Sequence, residues 1–199
     1  EGRLNSAYAY GGPEGLLSVL CENFNLDVAY YLSVDFTAFV SVIDALGGVP
    51  LELSESEIRA LNRLLPEGYE PLSPKDGVQN LKGAQALAYV RDRNSAMGDF
   101  DRTARQRKLI SALFSRMGEG SFGDLFLVAE RVIPFLETNL TSDVIMYFLR
   151  NCGEYLNFST VCVSVPCEGS YSFDTLRGME IIRWNREKNI SFLYQTVYF

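Results

Sequence analysis

Apolar positions along the chain follow two spacings. In Pro13–Phe24, the residues Leu16, Leu17, Leu20 and Phe24 share one face at helical period, with Pro13 and Glu14 in the first turn where a helix accepts them. The run AYYLSVDF, ending at Phe36, is dense in aromatic and β-branched residues and predicts a strand. TAFVSVIDALGG then returns to a helical period with Phe39, Val42, Ile43 and Leu46 inward, and Gly47 and Gly48 stop it. VPLEL predicts a short strand. Ser54 followed by Glu57 is a capping box that opens a helix reaching Leu65, and PEGYEPLSPKDG reads as loop.

KGAQALAYVR and DFDRTARQRKLISALFSRM predict two helices joined by the turn-rich RDRNSAMG. In the second, Ile110, Leu113, Phe114 and Met117 mark the face expected to be buried. Asp124–Val132 and Ser142–Cys152 carry further helical stripes, with Pro134 breaking between them. STVCVSVPC and MEIIRW predict strands, and the stretch from Asn185 to Phe199 a closing helix. Strands alternating with helices imply an α/β protein, a three-layer α/β/α sandwich around a central mixed sheet. No repeat or interdomain linker interrupts the 199 residues, so one domain is expected.

Composition narrows the chemistry. The chain is 47% hydrophobic, enough for a sizeable core, and its net charge of −7 argues against non-specific nucleic-acid binding, which needs an excess of Lys and Arg. It contains no histidine, which removes Ser-His-Asp, Cys-His and His-ligated zinc mechanisms together. The cysteines Cys21, Cys152, Cys162 and Cys167 follow no metal-ligand spacing; buried free thiols and a disulfide among the last three both stay open. No apolar run approaches the roughly 20 residues that span a bilayer. The first residues, EGRLNSAYAY, do not resemble a signal peptide and start without Met inside a helical pattern, so an upstream segment carrying any membrane anchor is expected.

Against this acidic background, Arg91, Arg93, Arg102, Arg105 and Arg107 gather with Gln106 in one segment. Guanidinium groups are permanently charged planar forks that match phosphate oxygens, so several converging on one spot suit a pyrophosphate. Helical stepping back from the expected buried face brings Gln106 and Arg102 to its margin, with Arg107 near the apolar edge and Arg105 farther round. Arg91 likewise extends the stripe Ala84, Leu87, Ala88. A solvated charged face paired with Asp92, Asp99 and Asp101 is the competing reading.

Four stretches in order, LNSAYAYGGPEGLL, YYLSVDFTAFVSVIDALGGVPLEL, the G-x-Q-x-L-x-G-x-Q-A-L-A-Y-V-R run from Gly77 to Arg91, and D-F-x-R-x-x-R-Q from Asp99 to Gln106, resemble the LytR-CpsA-Psr family. They cover the chain up to Met117; the last third is similar only in general character. The resemblance implies an α/β/α sandwich whose apolar cleft takes a polyprenyl tail while arginines hold the pyrophosphate. It implies that Arg91, Arg93, Arg102 and Gln106 contact the pyrophosphate, with Arg105 as a neighbouring support. Asp99 matches the family's acidic position, where the resemblance implies that it orients arginines or sits near the metal; a helix N-cap is the alternative, and the two roles are compatible. Asn5 and Asp35 fall at further positions the resemblance picks out, Asp35 more simply as a hydrogen-bonding group at a strand end. Tyr30, Phe36, Phe39 and Phe114 are candidates for a lipid cleft, with core packing as the default.

The implied activity is that of a phosphotransferase attaching a glycopolymer from a polyprenyl-pyrophosphate carrier to peptidoglycan at the extracytoplasmic face of the membrane. Arg102 and Asp99 are its candidate catalytic residues, and a magnesium ion would bridge the pyrophosphate. The family's remaining Asp and Arg of the site lie on strands upstream of Glu1, so this chain alone is expected to be inactive. The alternative is a non-catalytic module that binds lipid-linked or anionic wall glycans.

Overall fold

A computed structural model describes residues 4–92, 99–119, 130, 133–155, 161–176 and 178–198, with Asp99, Cys152 and Met179 described by backbone alone. The class is α/β. Two compact units divide the chain: Leu32–Thr160 form one, and Glu1–Tyr31 with Val161–Phe199 form the other. Among the described residues the strands pair as three two-stranded antiparallel ladders.

In the first unit, β1 (Leu32–Val34) leads into helix α2 (Phe36–Ala45), which Asp35 caps by accepting the Ala38 amide at 2.7 Å. Gly47 and Gly48 both have positive φ, the conformation that ends this helix and turns the chain into β2 (Val49–Leu53). Strand β2 alternates as its sequence requires: Val49, Leu51 and Leu53 are buried, Pro50 and Glu52 exposed. Its partner β3 (Gly77–Leu81) runs antiparallel, with Val49 opposite Leu81 and Leu53 opposite Gly77.

Helix α3 (Glu55–Leu64) starts at the expected capping box. The Glu57 amide bonds to Ser54 Oγ, and the Ser54 amide bonds to Glu57 Oε2. Helix α4 (Gly83–Arg91) follows β3 and buries Gly83, Ala84, Ala86, Ala88 and Tyr89. With α5 (Asp99–Glu119) these elements enclose a core of Ile43, Val49, Leu51, Leu53, Ile58, Leu61, Leu81, Tyr89 and Leu109. A smaller cluster around Leu46 joins Val42 and Ala45 of α2 to Leu113 and Met117 of α5 and Leu136 of β4 (Leu136–Thr138). β4 pairs antiparallel with β1, and helices α6 (Ser142–Arg150) and α7 (Cys152–Tyr155) come after it.

The second unit contains α1 (Leu4–Phe24), kinked at Gly12 just before Pro13, the β5–β6 hairpin (Tyr171–Leu176 and Met179–Trp184) and α8 (Arg186–Tyr198). Arg186 caps the C-terminus of α1 by donating to the carbonyls of Glu22 at 2.7 Å and Asn23 at 3.1 Å. Asn189, fully buried, accepts the Cys167 amide and donates to Ser170 Oγ, which pins the turn ahead of the hairpin.

Several expectations are corrected. The described part of STVCVSVPC, from Val161 onward, is irregular rather than a strand; Pro166 has no amide to give a ladder. β3 and β5 are strands that the patterning read as loop or left unassigned. The stripe at Asp124–Val132 lies outside the described residues apart from Glu130. A disulfide among the last three cysteines would need Cys162 or Cys167, and neither is bridged; Cys162 is exposed, so the thiols are not uniformly buried.

Gly83 sits where α4 crosses α2. A Cβ there would lie 2.4 Å from the Val40 carbonyl oxygen and 2.7 Å from Val40 Cγ1. Helix propensity alone favours Gly83→Ala by roughly 1 kcal/mol. The contact reverses that sign: in chemical denaturation Gly83→Ala should destabilise by about 1–3 kcal/mol through overpacking.

Candidate functional site

Three chain ends meet beside the core of the first unit: the start of α2, the end of α4 and the first turns of α5. Arg91 closes α4 and is exposed, its guanidinium carbon 5.1 Å from the centroid of the Phe36 ring at the start of α2. Asp92 follows as the C-cap of α4 and is buried. Arg105 of α5 donates from Nη2 to the Asp92 main-chain oxygen, and the same nitrogen lies 3.8 Å from Asp92 Oδ2. Arg102 is half-buried one turn earlier on α5, and Gln106 is exposed.

Two sequence expectations are redirected here. Arg91 does not continue the buried stripe of α4, because the chain leaves the helix at Asp92 and it is Asp92 that turns inward. On α5 the buried stripe runs through Leu109, Ala112 and Leu113, while Ile110 is 45% and Phe114 49% exposed. Stepping back from Leu109 by helical spacing gives Arg105 and Arg102, so Arg105 is the inward arginine and Gln106 lies on the outer face. Arg107 is half-buried.

The remaining candidates separate. Arg93 lies outside the described residues, and α5 begins at Asp99, whose side chain is not described. Asp35 has the structural role of capping α2. Asn5 is on α1 and Tyr30 is exposed, both in the other unit. Phe39 packs against the core, whereas Phe36 is 62% exposed and Phe114 is outward, contrary to the core-packing default for both.

Behind the junction, a polar knot fixes α4. Tyr89 Oη donates to Glu57 Oε1 at 3.1 Å, and Lys108 Nζ of α5 donates to the Glu52 carbonyl. Burial, the largest influence, pushes the Glu57 carboxyl upward. The Ser54 amide and hydroxyl, the Lys108 charge and the Tyr89 hydroxyl together outweigh it, so Glu57 lies below its ordinary value. Burial and the Glu57 charge push the Tyr89 phenol far up, keeping it a donor across the physiological range.

Magnesium finds no cage in the described part of the chain. Among the described residues no three His, Cys, Asp or Glu side chains come together. Asp35 caps α2, Asp44 accepts the Gly83 amide at 2.8 Å, and Asp92 receives Arg105.

The arrangement defines an α/β protein with a cationic helix junction bordered by the exposed Phe36 ring, a setting suited to an anionic head group on an apolar body. The chain belongs to the LytR_cpsA_psr family, whose model matches residues 1–184. It is 36% identical over 172 residues to the regulatory protein MsrR of Staphylococcus aureus, covering 85% of this chain and 50% of that protein. It is 33% identical over 147 residues to the polyisoprenyl-teichoic acid–peptidoglycan teichoic acid transferase TagU of Bacillus subtilis, covering 71% of this chain and 44% of the relative. The chain thus spans about half the length of these curated relatives. Its fold is similar to that of B. subtilis TagT, with a TM-score of 0.72 at 22% identity over 97% of this chain and 71% of that one. A structure described as TagT bound to LIIa-WTA is similar at a TM-score of 0.73 and 22% identity, over 98% and 69%.

The lowered Glu57 value fixes a sign. A depressed carboxyl contributes stability that is present above its unfolded value and lost as pH falls through the folded one. Glu57→Gln should therefore be less stable than the parent at neutral pH, with the gap narrowing as pH drops below the ordinary glutamate range. Tyr89→Phe should cost about 1–2 kcal/mol at neutral pH in chemical denaturation, as expected for a hydrogen bond to a charged acceptor.

Proposed function

We propose that this chain is the greater part of the catalytic domain of a glycopolymer phosphotransferase. It would take a wall polymer from a polyprenyl-diphosphate carrier and join it to peptidoglycan at the extracytoplasmic face of the cell envelope. One observation carries this reading beyond family membership: Arg91 is exposed at a helix junction with its charge against the equally exposed Phe36 ring. A diphosphate needs cationic forks, and a prenyl chain needs apolar surface next to them. Exposed Leu32 and Val34 on β1 and Phe114 on α5 enlarge the apolar surface of the same unit. The relative named for teichoic acid transfer, TagU, supports this reading.

In this reading Arg91 and Arg102, with Arg93, bind the diphosphate and neutralise charge that builds on the leaving group, and Gln106 orients it. The acceptor hydroxyl oxygen of peptidoglycan attacks the glycan-bearing phosphorus. The bond from that phosphorus to the bridging oxygen breaks, polyprenyl phosphate leaves, and the hydroxyl proton passes to a carboxylate. Asp99 is the candidate this chain offers near the arginines. A magnesium ion, whose ligands the described residues do not supply among themselves, would add charge neutralisation on the phosphates; loss of transfer on chelation by EDTA is its expected signature.

The test uses the full-length protein with a polyprenyl-diphosphate-linked glycan and peptidoglycan. Transfer with release of polyprenyl phosphate is expected. Binding without turnover would instead indicate a module that only holds the lipid-linked glycan. Arg102→Ala should weaken binding of a prenyl diphosphate roughly tenfold or more, a charge-assisted contact being worth at least about 1.5 kcal/mol. Its thermal midpoint should stay close to that of the parent, since it relieves repulsion among neighbouring cations. Equal loss of folding and binding would give Arg102 a structural role.

A further inference from the structure

We propose that Asp92 and Arg105 act as a positioning pair, with Arg105 serving the diphosphate site through Asp92 rather than by touching the ligand. This inference rests on the diphosphate reading above and deepens it. The family resemblance sets Arg105 beside the phosphate-contacting residues as a neighbouring support, and its surroundings differ from theirs. Its side chain is only 11% exposed, and that of Asp92 is 9% exposed. Its Nη2 serves both the Asp92 carbonyl and, at 3.8 Å, the Asp92 carboxylate, while its buried Nε makes no hydrogen bond. The guanidinium also bears on the buried phenol of Tyr89, lowering the energy of its charged form. A cation so placed has its charge matched inside the α4–α5 junction and offers little to a phosphate outside it.

What the pair does hold is the Arg91–Asp92 segment. Arg91 precedes Asp92 directly, and Arg102 lies three residues before Arg105 on the same helix. One link from Arg105 to Asp92 therefore ties the end of α4, with Arg91, to the turn of α5 that carries Arg102. A carboxylate placed among several arginines also reduces the repulsion that would spread them apart. Both effects set the spacing of the arginines before any ligand arrives, and misplacement by about 1 Å is enough to lose a large part of a well-oriented interaction.

The sign of one substitution separates this from its alternatives. If Asp92 were merely a nearby anion, Asp92→Asn would remove a charge that repels phosphate, and binding would tighten. Positioning demands the opposite. The experiment measures binding of farnesyl diphosphate by calorimetry to the full-length protein and to Asp92→Asn, Arg105→Gln and the double variant, with thermal midpoints recorded alongside. Asp92→Asn and Arg105→Gln should each weaken binding roughly tenfold, and the double variant should be no weaker than either single, because both remove one link. Each single variant strands a buried charge at a cost to folding; the double variant removes both charges and keeps the measurement possible, with the same tenfold loss expected in a folded protein.

Unchanged or tighter binding by folded Asp92→Asn or by the folded double variant overturns the positioning role. A loss in Arg105→Gln without one in Asp92→Asn makes Arg105 a direct ligand contact and overturns it equally. If the parent itself fails to bind farnesyl diphosphate, both this inference and the diphosphate reading fall. Parent binding with indifferent variants removes the inference alone.

Discussion

Helix α4 lies against α2 at a distance that admits no side chain at Gly83, where the Val40 backbone occupies the space a Cβ would take. That constraint organises the first unit. A helix brought so close must be small where it crosses, and Ala84, Ala86 and Ala88 are buried with it; the largest buried group, Tyr89, spends its hydroxyl on Glu57 of α3. The Gly83 amide is itself taken by Asp44, and Lys82 and Asn80 both donate to the Gly47 carbonyl at the turn after α2. With its start clamped and its middle buried, α4 delivers its last residues, Arg91 and Asp92, to the start of α2 and the first turns of α5.

The electrostatics follow from that delivery. A chain of net charge −7 concentrates its arginines where two helix ends meet and sorts them by burial. Arg105 is inside and matched by Asp92; Arg91 is outside, leaning on Phe36; Arg102 is between. A cation at the C-terminus of α4 is favoured by the partial negative charge of the last carbonyls, which lowers the cost of keeping Arg91 there with no carboxylate among the described residues to pair it. On the proposed function, Arg91, Arg102 and the exposed Phe36 ring are what a lipid-linked diphosphate would meet.

Much of this was legible in the sequence because local signals were strong. The Ser54–Glu57 box, the Gly47–Gly48 stop and the alternation of VPLEL each specify one outcome, and the structure contains all three. The face of α5 was not legible, since Leu109, Ile110, Leu113 and Phe114 allow two stripes about one residue apart and the choice between them is made by Lys108, Arg105 and the core of β2 and α4. Reading Ile110 and Phe114 as buried assumed that large apolar residues go inside, which fails here because Leu109, Ala112 and Leu113 already fill the core side of the helix. Strand β3 was hidden for a related reason: Gly77, Gln79 and Asn80 have weak strand preference, and only pairing with β2, over 20 residues away, holds them extended. The roles of Asp35 and Asp92 likewise depend on which backbone they meet.

The claim at the centre is that the arginines at the α4–α5 junction hold a prenyl diphosphate. The most direct measurement is native mass spectrometry of the full-length protein purified gently from membranes, alongside an Arg91→Ala, Arg102→Ala double variant of confirmed fold. The account predicts a bound species whose fragments contain a polyprenyl chain and two phosphates, lost from the double variant. A parent protein that carries no such lipid, or a double variant that retains it in full, would contradict the account.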